Sequence, residues 1–287
     1  MSIVITGATG HLGRLVVESL LERGVPAAEI TATGRAVERI TDLAGRGVRV
    51  ERVDLGDRAA VDTALAGAEK VLLVSGTEPE RVAQHGTVVE AAVAAGVGHL
   101  VYTSAPRATT TSMLLAGAHR ETEQLLAASG LTTTVLRNAW YVENYTDQVA
   151  TYREHGMLGA AGDGRVSVAL RAEYAEAAAA VLTGSGHAGR TYELGGPAVT
   201  LPQLAAAVSA AIGQDVAYTD VPVEQLQQVL AGAGVPAPMD AVLADVDRAI
   251  AAGELVVDPA DLESLLGRPV TPLDEAVRQA LGTGVRD

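Results

Sequence analysis

Three glycines in seven residues, Gly7-Ala8-Thr9-Gly10-His11-Leu12-Gly13, stand where phosphate chemistry could be done. An apolar, β-branched run ends just before them, and a helical pattern opens inside them. In that setting each glycine has a use. Gly7 permits a tight turn, Gly10 lets the backbone approach a pyrophosphate, and Gly13 lets the helix pack close to the strand. The helix start adds free N–H donors and about half a positive charge. Thr9, His11 and Leu12 complete the loop. A plain strand-to-helix turn would use the same residues, but the position after a strand favours a bound dinucleotide.

The end of the second strand pattern selects among dinucleotides. An acid there would hold a ribose 2′-hydroxyl and repel a 2′-phosphate. The sequence reads Thr33-Gly34-Arg35-Ala36-Val37-Glu38-Arg39 instead. Arg35 can fork a phosphate, and Arg39 lies one helical turn further on. NADP(H) is therefore expected over NAD(H), with Glu38 arguing the other way. Two solvated arginines at a helix start would look the same. Asp54 could accept from an adenine amino group, with Leu55 against the ring; a turn or cap aspartate explains it equally well. Ser75 and Gly76 form a small turn suited to ribose and pyrophosphate. Thr103 and Ser104 end the fifth strand beside the same ligand, where they could cap backbone groups or take part in catalysis.

Elements must hold these residues in place. Strand-like runs fall at 3–6, 30–33, 48–53, 71–74, 100–103 and 132–136. Helical patterns lie between them at 12–20, 36–46, 57–67, 80–95 and 112–128. Strands separated by helices demand a parallel sheet covered on both faces, and right-handed crossovers favour a doubly wound α/β fold. After Arg137 the pattern changes. The stretch 138–164 has weak periodicity. Beyond it come a helix at 172–183, a strand at 190–194, a helix at 201–212, a strand at 216–221 and a helical tail broken at 232–238 and 267–272. The expected division is a dinucleotide-binding domain over 1–137 and a smaller α/β lobe over 138–287 that closes over the cofactor, the chain being free to recross between them.

Composition narrows the chemistry. The chain has 287 residues, 48% of them hydrophobic, enough for one large domain or a domain with a lobe. A net charge of -14 repels DNA and anionic lipid, so neither nucleic acid nor membrane is an expected partner. It also gives weight to each arginine near the glycine loop. The absence of cysteine excludes thiolate catalysis and disulfides. Six scattered histidines lack the spacing of a metal site. A strand pattern from Ser2 and the lack of any long apolar run give the expectation of a soluble, cytoplasmic protein without a signal peptide.

Three stretches together resemble the NmrA-like branch of atypical short-chain dehydrogenases. They are the glycine loop with Ile5 and Thr6, Val101-Tyr102-Thr103-Ser104, and Leu136-Arg137-Asn138-Ala139-Trp140-Tyr141-Val142-Glu143-Asn144-Tyr145. Within that branch the likeness is to bacterial NADPH:quinone oxidoreductases of the second type. It extends through His155-Gly156, 159–164 and Arg171-Ala172-Glu173-Tyr174-Ala175. The resemblance implies a Rossmann-type domain with a small C-terminal lobe, two-electron reduction of quinones by NADPH, and a homodimer. It also implies that 138–145 lines the nicotinamide and substrate cleft, and that Arg35 helps select NADPH.

The wider superfamily places a Tyr-x-x-x-Lys pair after the serine matching Ser104. Here 113–124 contains neither Tyr nor Lys. The quinone-reducing branch lacks the pair too. Quinone reduction needs less acid chemistry, because the developing charge spreads over a conjugated ring and water can complete protonation. Asn138, at a strand's carboxyl end, could hold a nicotinamide amide or a substrate oxygen. Trp140 and Tyr141 offer flat faces to a planar carbonyl substrate such as a quinone, or make a packed aromatic corner between the lobes. Tyr145 and Asn144 are weaker members of the group. His119 stands near the place of the missing lysine, where it could orient a ribose or relay a proton. Alternatively it is a helix-surface histidine bonded to Glu123. His85 shares an apolar helix face with Val82, Val89 and Ala92 and reads as structural. A cofactor-binding redox sensor without enzymatic activity, and a carbonyl or imine reductase, are the competing functions.

Overall fold

The first half of the chain alternates as β1 (Ile3–Ile5), α1 (His11–Glu22), β2 (Ile30–Gly34), α2 (Thr41–Gly45), β3 (Arg49–Arg52), α3 (Arg58–Leu65), β4 (Lys70–Leu73), α4 (Arg81–Ala95), β5 (His99–Ser104), α5 (Ala116–Ala128) and β6 (Thr133–Asn138). There follow β7 (Trp140–Tyr141), α6 (Glu143–Thr146), α7 (Val149–His155), β8 (Met157–Gly159), β9 (Arg165–Ala169), α8 (Arg171–Thr183), β10 (Thr191–Leu194), β11 (Ala198–Thr200) and α9 (Leu201–Ile212). The chain closes with β12 (Tyr218–Asp220), α10 (Val223–Gly232), α11 (Met239–Ala251), α12 (Ala260–Leu266) and α13 (Leu273–Thr283). This computed structural model describes residues 1–283.

Seven strands pair in parallel in the order β10-β6-β5-β4-β1-β2-β3. The fold is the doubly wound, Rossmann-type α/β arrangement. Alternation along each strand sorts side chains between two cores. Ile3, Ile5, Leu72 and Val101 face α1 and α8, meeting Val16, Leu20, Tyr174 and Ala178. Val4, Val71, Leu73 and Leu100 face α3 and α4, meeting Val61, Leu65, Val88 and Ala92. The alanines 177–179 of α8 are fully buried and let that helix lie close on α1.

A third core, with Val142, Tyr145, Leu204, Val208, Val246 and Ile250, fills the C-terminal lobe. Its strands form two small sheets, β11-β9-β7 and β12-β8. The chain crosses between the layers. It leaves the main sheet after β6, then returns with α8 against α1 and with β10 as an edge strand on β6. Among the described residues no helix is long and apolar enough to cross a membrane.

Two expected helices differ. The pattern at 36–46 is a 3-10 turn, Val37–Ile40, followed by the five-residue α2. Ala36 stands outside helical geometry at φ -102° and ψ 60°. There the chain keeps the Arg35 carbonyl within reach of Arg52, and β-branched Val37, Ile40 and Thr41 favour α-helix least. The helix expected from 112 begins at Ala116, because 105–115 is a loop whose Met113 is anchored in the lobe's core.

Candidate active site

The strand order reverses between β1 and β4, where an open α/β sheet leaves a crevice at its carboxyl edge. A cleft of about 640 Å³ lies there. Gly7, Thr9, Gly10, His11, Leu12 and Gly13 form one wall. Gly7 takes φ +64°, the left-handed region, so the turn demands glycine. A Cβ on Gly13 would stand 2.5 Å from the Gly7 carbonyl oxygen and 2.8 Å from Ala8 Cα. A side chain there is excluded by backbone, which cannot yield. The loop is pinned by the Ala8 N–H donating to the Thr33 carbonyl at 2.8 Å. Gly34 is likewise closed to a Cβ, by the Thr9 side chain. A backbone cradle at the start of α1 fits a pyrophosphate.

Arg35 and Arg39 lie at the tip of β2, both exposed, and line the same cleft. Arg35 is paired with Glu78 from the loop after β4. Glu38, the residue that argued against a 2′-phosphate, is paired with Arg52 and so does not present a bare charge. Asp54 and Leu55 line the cleft beyond β3. Asp54 Oδ1 accepts from the Gly56 N–H at 2.9 Å, a turn aspartate. The cap of α3 belongs to Asp57, which accepts from Ala59 and Ala60. Ser75 and Gly76 form the middle of the cleft. The Ser75 N–H donates to the Thr103 hydroxyl at 3.0 Å, so Thr103 serves the backbone of the β4 turn.

The other end of the cleft is made of side chains. Asn138 ends β6 and is buried. Its amide donates to the Tyr141 hydroxyl over 3.4 Å, while its Oδ1 has no partner among the described residues. A buried, unpaired acceptor at a cleft is a place for a ligand donor. Trp140 and Tyr141 form β7, tied to β9 through Val168 and Ala169. Tyr141 sits edge-on to Tyr174 at 5.1 Å, and burial raises its hydroxyl pKa, keeping it a donor. Met113, Leu115, Asn144 and Arg171 complete this end.

Ser104 hydrogen-bonds to Glu123, its hydroxyl donating at 2.6 Å. Glu123 also receives Arg137, from Nε at 3.0 Å and Nη2 at 2.6 Å, and Arg137 reaches Glu193 at 2.8 Å. Ser104 therefore offers the cleft lone pairs rather than its proton.

His119 is not the surface histidine bonded to Glu123 that helix spacing allowed. It is buried on the cleft, with Nδ1 2.9 Å from the Tyr102 hydroxyl, and Glu123 is taken by Ser104 and Arg137. Burial, aided by the charge of Arg81, pushes its pKa down to about 3, so the ring is neutral. His85 is buried behind it, bonded to Thr122 at 2.8 Å and edge-on to Tyr102, with a pKa pushed down by burial to about 4.

The residues singled out from the sequence for cofactor or substrate line this one cleft, except Tyr145, which is packed into the lobe's core instead. Sequence reasoning passed over Glu78, Met113, Leu115 and Arg171. The first three carry no motif. Arg171 had a signal: a cation as the first residue of a helix, where the dipole disfavours it.

A Rossmann-type sheet with a glycine cradle at its switch point defines a dinucleotide-binding α/β protein. More narrowly, the chain belongs to the NmrA-like family, whose sequence profile matches residues 1–262. It is 44% identical over 278 residues to Quinone oxidoreductase 2 of Escherichia coli strain K12, a match covering 96% of this chain and 97% of that protein. The crystal structure of the NADPH-dependent quinone oxidoreductase of Escherichia coli complexed with NADPH aligns with a TM-score of 0.92 at 44% identity, covering 96% of this chain and 99% of that one. The triphenylmethane reductase of Citrobacter sp. complexed with NADP(H) aligns at 0.90 and 38% identity, covering 98% and 100%.

Proposed function

We propose that this protein is an NADPH-dependent oxidoreductase that reduces quinones by two electrons. The observation that carries this reading is the continuity of one cleft from the glycine loop and Arg35 to the aromatic pair Trp140 and Tyr141. The loop from Gly7 to Gly13 holds the pyrophosphate of NADP(H), and Arg35 with Arg39 takes the 2′-phosphate. Asp54 and Leu55 flank the adenine, and Ser75 and Gly76 lie along the ribose and phosphates. When bound, the cofactor supplies a hydride.

The remaining work belongs to the chain's own side chains. Asn138 offers its unpaired oxygen to the nicotinamide amide. Trp140 and Tyr141 hold a flat acceptor against the hydride donor and exclude water. With Nδ1 of His119 engaged by Tyr102, Nε2 is the ring nitrogen left for the cleft, on a neutral ring. Neutral donors suit a reaction whose product acid is completed by water.

The test is NADPH oxidation with benzoquinone and with menadione, with cofactor binding followed through Trp140, the single tryptophan. Turnover is expected with both. Binding of NADPH without turnover at any quinone overturns the reading and leaves a cofactor sensor.

A further inference from the structure

Arg171 is the first residue of α8 and lies at the acceptor end of the cleft. A cation there opposes the helix dipole, so helix stability does not account for it. Its side chain is only 13% exposed. Even so, its guanidinium donates no hydrogen bond to any described residue. The ion pair it makes is with Asp147 at 3.8 Å, beyond hydrogen-bond reach, and Asp147 is itself 62% exposed. A second acid, Glu143, spends both oxygens on the Arg171 backbone N–H, each at 3.0 Å.

The charge of Arg171 is thus balanced by Asp147 and Glu143 while its N–H donors stay unused. The guanidinium is also held still. It sits 5.3 Å from the centre of the Tyr141 ring, and Tyr141 is braced by Tyr174. A planar fork of donors without a protein acceptor lines the cleft, where a ligand can supply one.

We infer that Arg171 is a catalytic residue that donates to the carbonyl oxygen of the acceptor. This rests on the quinone-reductase reading. The hydride leaves the nicotinamide for one quinone oxygen, forming its O–H bond as the C–H bond breaks; its electron pair passes through the conjugated ring to the opposite oxygen, giving NADP⁺ and the hydroquinone monoanion. Arg171 stabilises that oxygen while charge grows on it, and water then supplies the proton. The sum is NADPH + quinone + H⁺ giving NADP⁺ + hydroquinone. A donor that is fixed and charge-balanced beforehand need not reorganise as the charge develops.

The experiment is single-turnover reduction by the full-length protein with a series from tetramethyl- to dichlorobenzoquinone, for wild type, Arg171→Lys and Arg171→Gln. The Gln variant is expected to lose about 100-fold with the tetramethyl quinone, whose anion needs most help, and about tenfold with the dichloro quinone. Arg171→Lys falls between, and the NADPH Kd stays within about twofold of wild type. A uniform loss across the series, or no loss, overturns the inference and leaves Arg171 a brace for Tyr141. If Arg171→Gln does not fold, the Lys variant's dependence on the series decides by the same criterion. If wild type reduces no quinone, the functional reading fails instead.

Discussion

The two ends of the cleft are built from different materials. At the phosphate end the binding groups are backbone, gathered within seven residues and shaped by Gly7 at φ +64° and the closed space around Gly13. At the acceptor end they are side chains: His119 from α5, Asn138 from β6, Trp140 and Tyr141 from β7, and Arg171 from α8. The first end is rigid because backbone packs on backbone. The second is held by longer chains of contact, such as Ser104 to Glu123 to Arg137 to Glu193. The difference implies that a single methyl group can destroy cofactor binding, whereas the acceptor end should lose function in smaller steps.

Four measurements bear on that contrast. The largest effect is expected from Gly13→Val. Its side chain meets the Gly7 carbonyl and Ala8 Cα, so NADPH affinity should fall more than about 100-fold, roughly 3 kcal/mol. Calorimetric titration checks this, and retained binding would end the claim that backbone contact dominates there.

The next effect is on stability below the acceptor end. His85 and His119 are kept neutral by burial, with pKa values pushed down to about 4 and about 3. The unfolded chain takes up protons below about 6.5, whereas the folded chain does not until near those lower values. Stability is therefore fully present above 6.5 and falls as pH drops through that window. Each histidine should cost about 2 kcal/mol by pH ~5. Urea unfolding at the two pH values measures it, and His85→Gln should remove about half of the dependence. An unchanged slope in that variant would count against the assigned burial.

Arg35→Ala should raise the Kd of NADPH about 20-fold and leave that of NADH within about twofold. Equal losses for both cofactors would remove Arg35 from the 2′-phosphate. The smallest effect is expected from Trp140→Ala: about a fivefold rise in KM for menadione, with NADPH affinity unchanged. If cofactor affinity also falls by fivefold, the two ends are not separate.

How much of this was legible follows from the same contrast. The glycine loop and the tip of β2 lie within 33 residues of one another in sequence, and their function depends on local conformation. Strand and helix patterns marked all seven sheet strands, because short apolar runs covered on both faces stand out between helical patterns, but the strand at 190–194 was expected in the smaller lobe and not beside β6. Asn138 to Tyr141 was legible through its composition and its place after a strand. The helix at 36–46 was misread, because β-branched Val37, Ile40 and Thr41 disfavour α-helix and the turn at Ala36 keeps the Arg35 carbonyl against Arg52. His119 was read with an alternative on the helix surface, since spacing alone makes Glu123 its neighbour.

The sequence by itself determined a glycine-rich strand-to-helix turn, the pair of arginines proposed to select NADPH, and a doubly wound sheet. These depend on φ angles, on the absence of Cβ atoms, and on periodicity, all written locally. Tertiary structure alone decided that Glu123 binds Arg137 and Ser104, that Tyr102 takes His119, and that α8 and β10 return to the first layer. It also placed Arg171 beside Tyr141, thirty residues away, with its donors unspent. Such pairings depend on which surfaces pack together and exclude water, and no stretch of sequence carries that information alone.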